Sequence, residues 1–455
     1  MRRTFALFAI ALASLAAAAV AVLLRPAVPK PPPPPAPRAA SAAAGMRMAA
    51  LLDRLYLPED QDGTAYLQID LAADAAPVGD ERVPVNAVLI LDRSGSMSGV
   101  KIVRARDAAR ALVQALGPGD RLAIVEFSSS ASVLVESTPV TAQARSRALE
   151  TIDGIEAMGG TNMSAAFAAA APQLARGAAP GRVNKVFLAS DGQANEGVSE
   201  RGALLQLARR ELAGATLSSF GIGDDYDEDL MSALASQAGG RARYIASPEI
   251  LPAAFRAELN RASSLVARDV RVRVSGLSGA SVLGVLGFEP DGGWVRLPDF
   301  AAGEERRLFV KLAVPRARGL LDLASIELAF QGANGTPQRA AAVAKAAFTA
   351  DRSLLALPPT AASAAGAKAE MAQLADEAAR LQERGDRSEA HRKLGTLNRV
   401  AAQAARVVPA SAAEMKSVAD EYERGVADIR FAGSPASKKL KEKAFDALRA
   451  PVEGW

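Results

Sequence analysis

Three rhythms of apolar and polar positions divide the chain. Between Val83 and Ser263, short apolar runs alternate with stretches that carry apolar residues at helical spacing. The runs predict strands over Val85–Leu91, Arg121–Phe127, Val183–Ala189, Thr216–Ile222 and Ala242–Ala246, with a short edge strand at Ser132–Glu136. The stretches between them predict helices over Lys101–Leu116, Thr141–Glu156, Met163–Arg176, Glu200–Ala213, Asp229–Ala238 and Pro248–Ser263. Strands that alternate with helices need crossover connections. The expectation for 83–263 is therefore α/β, a doubly wound, mostly parallel sheet with helices on both faces.

Past Leu265 the period changes to two. Asp269 to Val274 alternates strictly, and further strand candidates follow around Trp294, Leu308–Ala313 and Ala324–Phe330, separated by turn clusters such as Asp291-Gly292-Gly293 and Asn334-Gly335. Residues 264–352 are expected to form an antiparallel β-sandwich. Ala65 to Leu71 alternates in the same way, so 46–82 is expected to join that sandwich and to make the α/β domain an insertion in it. An Ala/Pro linker is expected over 353–366. From 367 to 455 the chain is rich in Ala, Glu, Lys and Arg at helical spacing, with breaks near Gly385-Asp386, Pro409 and Gly433-Ser434-Pro435. Three or four helices in hairpins are expected there, with Lys438, Lys439, Lys441 and Lys443 on a solvated face.

At the other end, Arg2 and Arg3 precede an uncharged apolar run from Phe5 to Leu24, which is 20 residues long. That length spans a bilayer, and small residues at Ala19-Val20-Ala21 also fit a cleaved secretory signal. Residues 1–24 are expected to be an anchor or signal. The spacer 25–45, with Pro31 to Pro35, is expected to be a semi-rigid polyproline II segment. Both alternatives put the remainder in the cell envelope, anchored in the inner membrane and facing outward, or exported.

Composition removes whole classes of chemistry. Charged residues are 23% of the chain and the net charge is +4, too little for a nucleic-acid field. Cysteine is absent, so no disulfide, thiolate zinc site or Cys nucleophile exists. The single histidine, His391, lies in the helical tail, which makes His-based triads and His-ligated zinc difficult. No Walker A pattern occurs. What remains is the oxygen chemistry of Asp, Glu, Ser and Thr.

That chemistry concentrates where strands end. Val85 to Leu91 runs into Asp92-Arg93-Ser94-Gly95-Ser96, a buried strand closing on a carboxylate and two alternate hydroxyls. A turn with Asp92 capping the next helix is one reading. The other is a hard cation such as Mg²⁺, which takes oxygen ligands in a near-octahedral shell. Asp191 ends the Val183 strand in Ser190-Asp191-Gly192, and Thr161 follows two glycines in Gly159-Gly160-Thr161-Asn162. Ligands of open parallel sheets bind at the carboxyl ends of the strands, so all three loops should share one edge. Asp224, Asp225, Asp227, Glu228 and Asp229 add an acidic loop, read first as charge at a helix N-terminus and second as another cation site.

In this order the five residues resemble the metal-ion-dependent adhesion site of von Willebrand factor A domains. Flanking Gly117-Pro118-Gly119-Asp120-Arg121 and Gly221-Ile222-Gly223-Asp224-Asp225-Tyr226 are similar to the bacterial group often labelled Ca-activated chloride-channel-like. The resemblance implies that Ser94, Ser96 and Thr161 ligate Mg²⁺ (Mn²⁺ and Ca²⁺ being alternatives) through hydroxyls. Asp92 and Asp191 would act directly or through water. Two carboxylates leave a divalent ion electrophilic, and its open position would take an Asp or Glu carboxylate of a protein partner. The implied function is metal-dependent protein binding with no catalytic residue. The alternatives are an assembly factor serving a separate ATPase and, behind it, a metal-dependent hydrolase.

Overall fold

A computed structural model describes residues 39–75, 83–191, 193–223, 226–245, 248–430 and 434–449. The Phe5–Leu24 run and most of the expected spacer lie outside them, as do Asp224 and Asp225. Among the described residues no helix is long and apolar enough to cross a membrane.

The central layer is a six-stranded sheet in the order β10-β9-β8-β5-β6-β7. In chain order these are β5 (Val85–Asp92), β6 (Arg121–Phe127), β7 (Ala131–Pro139), β8 (Val183–Ser190), β9 (Thr216–Ile222) and β10 (Ala242–Ile245). All neighbours run parallel except edge strand β7, which is antiparallel to β6. Every residue of β5 is buried, because helices cover both faces of the sheet. On one face Val85, Ala87, Leu89 and Leu91 pack against α1 (Val100–Ala115), α2 (Ala142–Asp153) and α6 (Leu251–Ser263). On the other, Val88 and Ile90 meet α3 (Met163–Gly177), α4 (Arg201–Glu211) and α5 (Glu228–Gln237).

The second unit has one core between two sheets, antiparallel except where β3 runs parallel to β17. One is ordered β1-β2-β4-β15-β12, the other β13-β11-β16-β17-β3 with β14 alongside β11. Of these, β3 is Tyr56–Pro58, β11 Leu265–Gly276, β12 Ser281–Val285, β13 Trp294–Arg296, β14 Phe300–Ala301, β16 Gly319–Gly332 and β17 Pro337–Thr349. Its strands come from both sides of the α/β domain. β4 (Gly63–Ala73) pairs along ten residues with β15 (Glu305–Val314), so the chain between them leaves and re-enters one sheet. Two expectations need correction. The spacer expected to reach residue 45 already contains a strand, β1 (Ala39–Ala43), because β2 (Met46–Leu52) offers it a free edge. The linker expected over 353–366 contains α7 (Arg352–Leu355) and the start of α8 (Ala361–Glu383), whose first turn is capped by Thr360.

After α8 come α9 (Arg387–Val407), α10 (Ala412–Ala427) and α11 (Pro435–Arg449), packed around Met371, Leu397, Met415 and Tyr422. This bundle docks on the sandwich through the Tyr66 ring, which lies so close to Gly366 that any side chain there would collide. Tyr66 also donates to Glu370 at 2.6 Å, and Lys311 donates to the same carboxylate at 2.7 Å. His391 stands exposed on α9.

Candidate metal centre

The carboxyl ends of β5, β8 and β9 lie on one edge of the parallel sheet, and the loop between α2 and α3 meets them there. Asp92 ends β5 between β6 and β8 and is buried there. One of its oxygens accepts the Ser94 backbone N–H at 2.8 Å, and the other accepts the Ser190 hydroxyl at 2.5 Å. Burial pushes the Asp92 carboxyl up to about 6; the bonds from Ser190 and Ser94 oppose the shift and the charge of Asp191 adds to it. The loop then turns through Gly95–Met97, leaving Ser94 buried and Ser96 exposed with their hydroxyl oxygens 3.0 Å apart.

Backbone bonds stitch the other loops to this one. Gly95 N–H donates to Gly159 O at 2.9 Å and Met158 N–H to Arg93 O at 2.7 Å. These bonds bring buried Thr161 to the edge. The Thr161 backbone is engaged on both sides. Its N–H donates to Asn195 Oδ1 at 2.8 Å, and its carbonyl accepts from the N–H groups of Asn195 and Glu196 at 3.1 and 3.2 Å. The loop following Asp191 is thereby tied to the Thr161 loop. What remains for Thr161 to present is its hydroxyl.

Asp191 follows β8 and is buried. Its Oδ2 lies 3.5 Å from Lys101 Nζ, while its Oδ1 is buried with no hydrogen-bond partner among the described residues. Lys101 reaches this position across Gly223, whose φ of +82° favours glycine and whose Cβ, were one present, would stand 2.7 Å from Lys101 Cε. The edge therefore collects two carboxylates and three hydroxyls, with one buried carboxylate oxygen unsatisfied. A buried carboxylate oxygen beside several hydroxyls is one that a hard cation could satisfy. Among the described residues no group of three or more Asp, Glu, His or Cys is placed to hold a metal, so a cation here would rest mainly on neutral hydroxyls.

The acidic loop follows its blander reading where it is described. Asp227 caps α5, accepting from Leu230 N–H at 2.9 Å, and Asp229 faces Arg201 at 3.7 Å, Arg380 at 3.5 Å and Lys441 at 3.8 Å. Burial pushes the Glu228 carboxyl up to about 7. The expectation that Lys441 is solvated is wrong: it is buried between Asp229 and Glu383, the latter at 2.9 Å. Sequence reasoning passed over Ser190 and Lys101 as members of the site. Ser190 could have been found from the hydroxyl adjoining Asp191, whereas nothing in the sequence marks Lys101.

Comparison with known proteins bears on the fold of the domain that carries these residues. The family model "von Willebrand factor type A domain" matches residues 86–255. The chain is 31% identical to the uncharacterized protein sll0103 of Synechocystis over 203 residues, covering 44% of this chain and 47% of the relative. It is 28% identical to protein YfbK of Escherichia coli over 212 residues (46% and 36%). With human inter-alpha-trypsin inhibitor heavy chain H4 it shares 32% identity over 177 residues (37% and 19%). The matched part of the chain spans less than half the length of each of these relatives. Two solved structures share the fold across 90% of this chain. A von Willebrand factor type A protein from Catenulispora acidiphila superposes with a TM-score of 0.64 at 19% identity over 97% of its own chain. The ArnB paralog VWA2 from Sulfolobus acidocaldarius does so with a TM-score of 0.55 at 18% identity over its full chain. Such domains are commonly protein-interaction modules. Residues 86–255 of this chain are a von Willebrand factor type A domain, carried on a β-sandwich and a helical bundle.

Proposed function

We propose that this domain is a divalent-cation-dependent protein-binding module whose site is of the metal-ion-dependent adhesion type. The observation that carries the reading is the buried, partnerless Asp191 Oδ1 beside Asp92 and the Ser94–Ser96 hydroxyl pair. Ser94, Ser96 and Thr161 would hold Mg²⁺ through hydroxyls, with Asp92 and Asp191 acting directly or through water. When bound, the cation supplies an electrophilic point that attracts an anionic oxygen. The chain's own residues keep that attraction high. Three of the five oxygen donors are neutral, and Ser190 and the Ser94 N–H occupy the Asp92 oxygens. A shell so poor in charge leaves the cation unsaturated towards a carboxylate on another protein.

Calorimetric titration of the purified chain with Mg²⁺ tests the assignment. The account expects one site in the wild type and none in the Asp92→Ala/Asp191→Ala double variant, with its circular dichroism unchanged. Equal binding by the variant would sink it. We further propose that the Phe5–Leu24 run places the domain across a membrane from the cytoplasm. In spheroplasts, external protease should then digest the domain; protection until lysis would contradict this.

A further inference from the structure

Nine large apolar side chains stand exposed among the described residues, and five of them gather at the edge that carries Asp92, Thr161 and Asp191. Val100, 57% exposed, begins α1 four residues after Ser96, and Val103 follows one turn on. Ile250, 49% exposed, lies in the Pro248–Ile250 turn beyond the carboxyl end of β10. The Arg104–Glu249 ion pair at 3.7 Å ties that turn to α1 beside Val103. Across the cup, Met158 is 55% exposed in the loop bonded to Arg93. Val198 stands on a third side, its N–H bonded to Ser164 Oγ at 3.1 Å. The fourth side, Tyr226 to Asp229, is already covered: Lys438 lies over the Tyr226 ring and Lys441 pairs with Asp229.

Exposed apolar side chains beside a polar site give a partner apolar surface to cover. Scattered single apolar residues need no explanation, but a cluster around a candidate site does. We propose that this edge binds a protein segment in which an Asp or Glu is flanked on both sides by large apolar residues. The acid would complement the cation and Lys101, and its neighbours would cover Val100, Val103, Ile250 and Met158. The proposal rests on the reading of the cup as a cation site, and it adds the chemistry that selects among acidic partners.

The test uses the full chain and a displayed library of random dodecapeptides, panned in Mg²⁺ and eluted with EDTA. The expected consensus is an acidic residue with Leu, Ile, Phe or Met within about three positions on either side. A synthetic consensus peptide should lose roughly tenfold or more in affinity for Val100→Asn and for Ile250→Asn. Both variants should keep wild-type Mg²⁺ affinity, which separates the rim from the cup. Acidic peptides with polar flanks, or affinity unchanged in both variants, would overturn the proposal while leaving the cation reading standing. No EDTA-eluted peptide at all would overturn the two together.

Discussion

The two ends of the same parallel sheet treat buried charge in opposite ways. At the amino end, against the sandwich, Lys185 donates to Glu258 at 2.7 Å and to Ser218 at 2.8 Å, and Ser218 donates to Glu258 in turn. Thr216 donates to Asp299 at 2.6 Å, and Glu304 takes Arg241, Arg261 and Arg306 together. Burial by itself would push the Glu258 carboxyl up, but the charges of Lys185 and Arg261 overcome it and hold the group at about 2. At the carboxyl end, Asp191 meets one ammonium at 3.5 Å and leaves an oxygen bare. The first cluster sets Glu258 and Glu304 against cations at close range and joins two domains, whereas Asp191 has one cation at the edge of ion-pair distance.

The comparison is broken most forcefully at the amino end. Glu258→Gln leaves Lys185 buried without its counter-charge and should destabilise the chain by about 3–5 kcal/mol in urea melts. Replacing both partners with apolar residues, Lys185→Met with Glu258→Leu, should recover most of that loss. If the single substitution is neutral, the junction is not held by this pair. At the carboxyl end the same kind of change should spare stability. Asp191→Asn should alter unfolding in EDTA by less than about 1 kcal/mol while weakening Mg²⁺ roughly a hundredfold, about 3 kcal/mol of binding. A large melting loss in EDTA would place Asp191 with the structural charges instead.

Asp53 sharpens the contrast, because it too is buried with an Oδ1 that has no hydrogen-bond partner among the described residues, yet it lies in the sandwich unit, just after β2. Burial pushes its carboxyl up to about 6, against the nearby charge of Arg54. The folded chain then binds a proton more tightly than the unfolded chain. Stability from this group is full below about pH 4 and falls as pH rises towards 6. Asp53→Asn should remove that fall and stabilise the chain by about 3 kcal/mol at pH 8, with little change near pH 4. An unchanged pH profile in thermal melts would show that Asp53 is not the source. The smallest effect is expected at half-covered Asp229. Asp229→Asn should cost about 1 kcal/mol or less and speed amide exchange in α11. Exchange at the wild-type rate would mean that these ion pairs do not hold the helix.

Where apolar contrast was strong, the fold was legible. The run Val183 to Ala189 is rich in residues that favour buried strands, and β8 ends one residue later at Ser190. β17 (Pro337–Thr349) was passed over because its buried alternate positions are Ala340, Ala342, Ala344 and Ala346. Alanine is the best helix former, so only the ladder with β16 (Gly319–Gly332) makes this segment a strand. β1, with four alanines in five residues, escaped notice for the same reason. At the site, Asp92, Ser94, Ser96 and Asp191 follow from strand ends on one edge, and Thr161 joined them through the order of the motif. Lys101 was not legible, since its approach depends on the backbone of Gly223.

The central claim is that the carboxyl edge holds a divalent cation with a position left open for another molecule. Electron paramagnetic resonance of Mn²⁺ added to the purified chain, with ¹⁷O-labelled water, reads both parts at once. The account predicts one bound Mn²⁺ with at least one exchangeable water that free acetate displaces, and no bound Mn²⁺ in the Asp92→Ala/Asp191→Ala variant. Equal binding by the variant, or a bound ion with no exchangeable water, would contradict it.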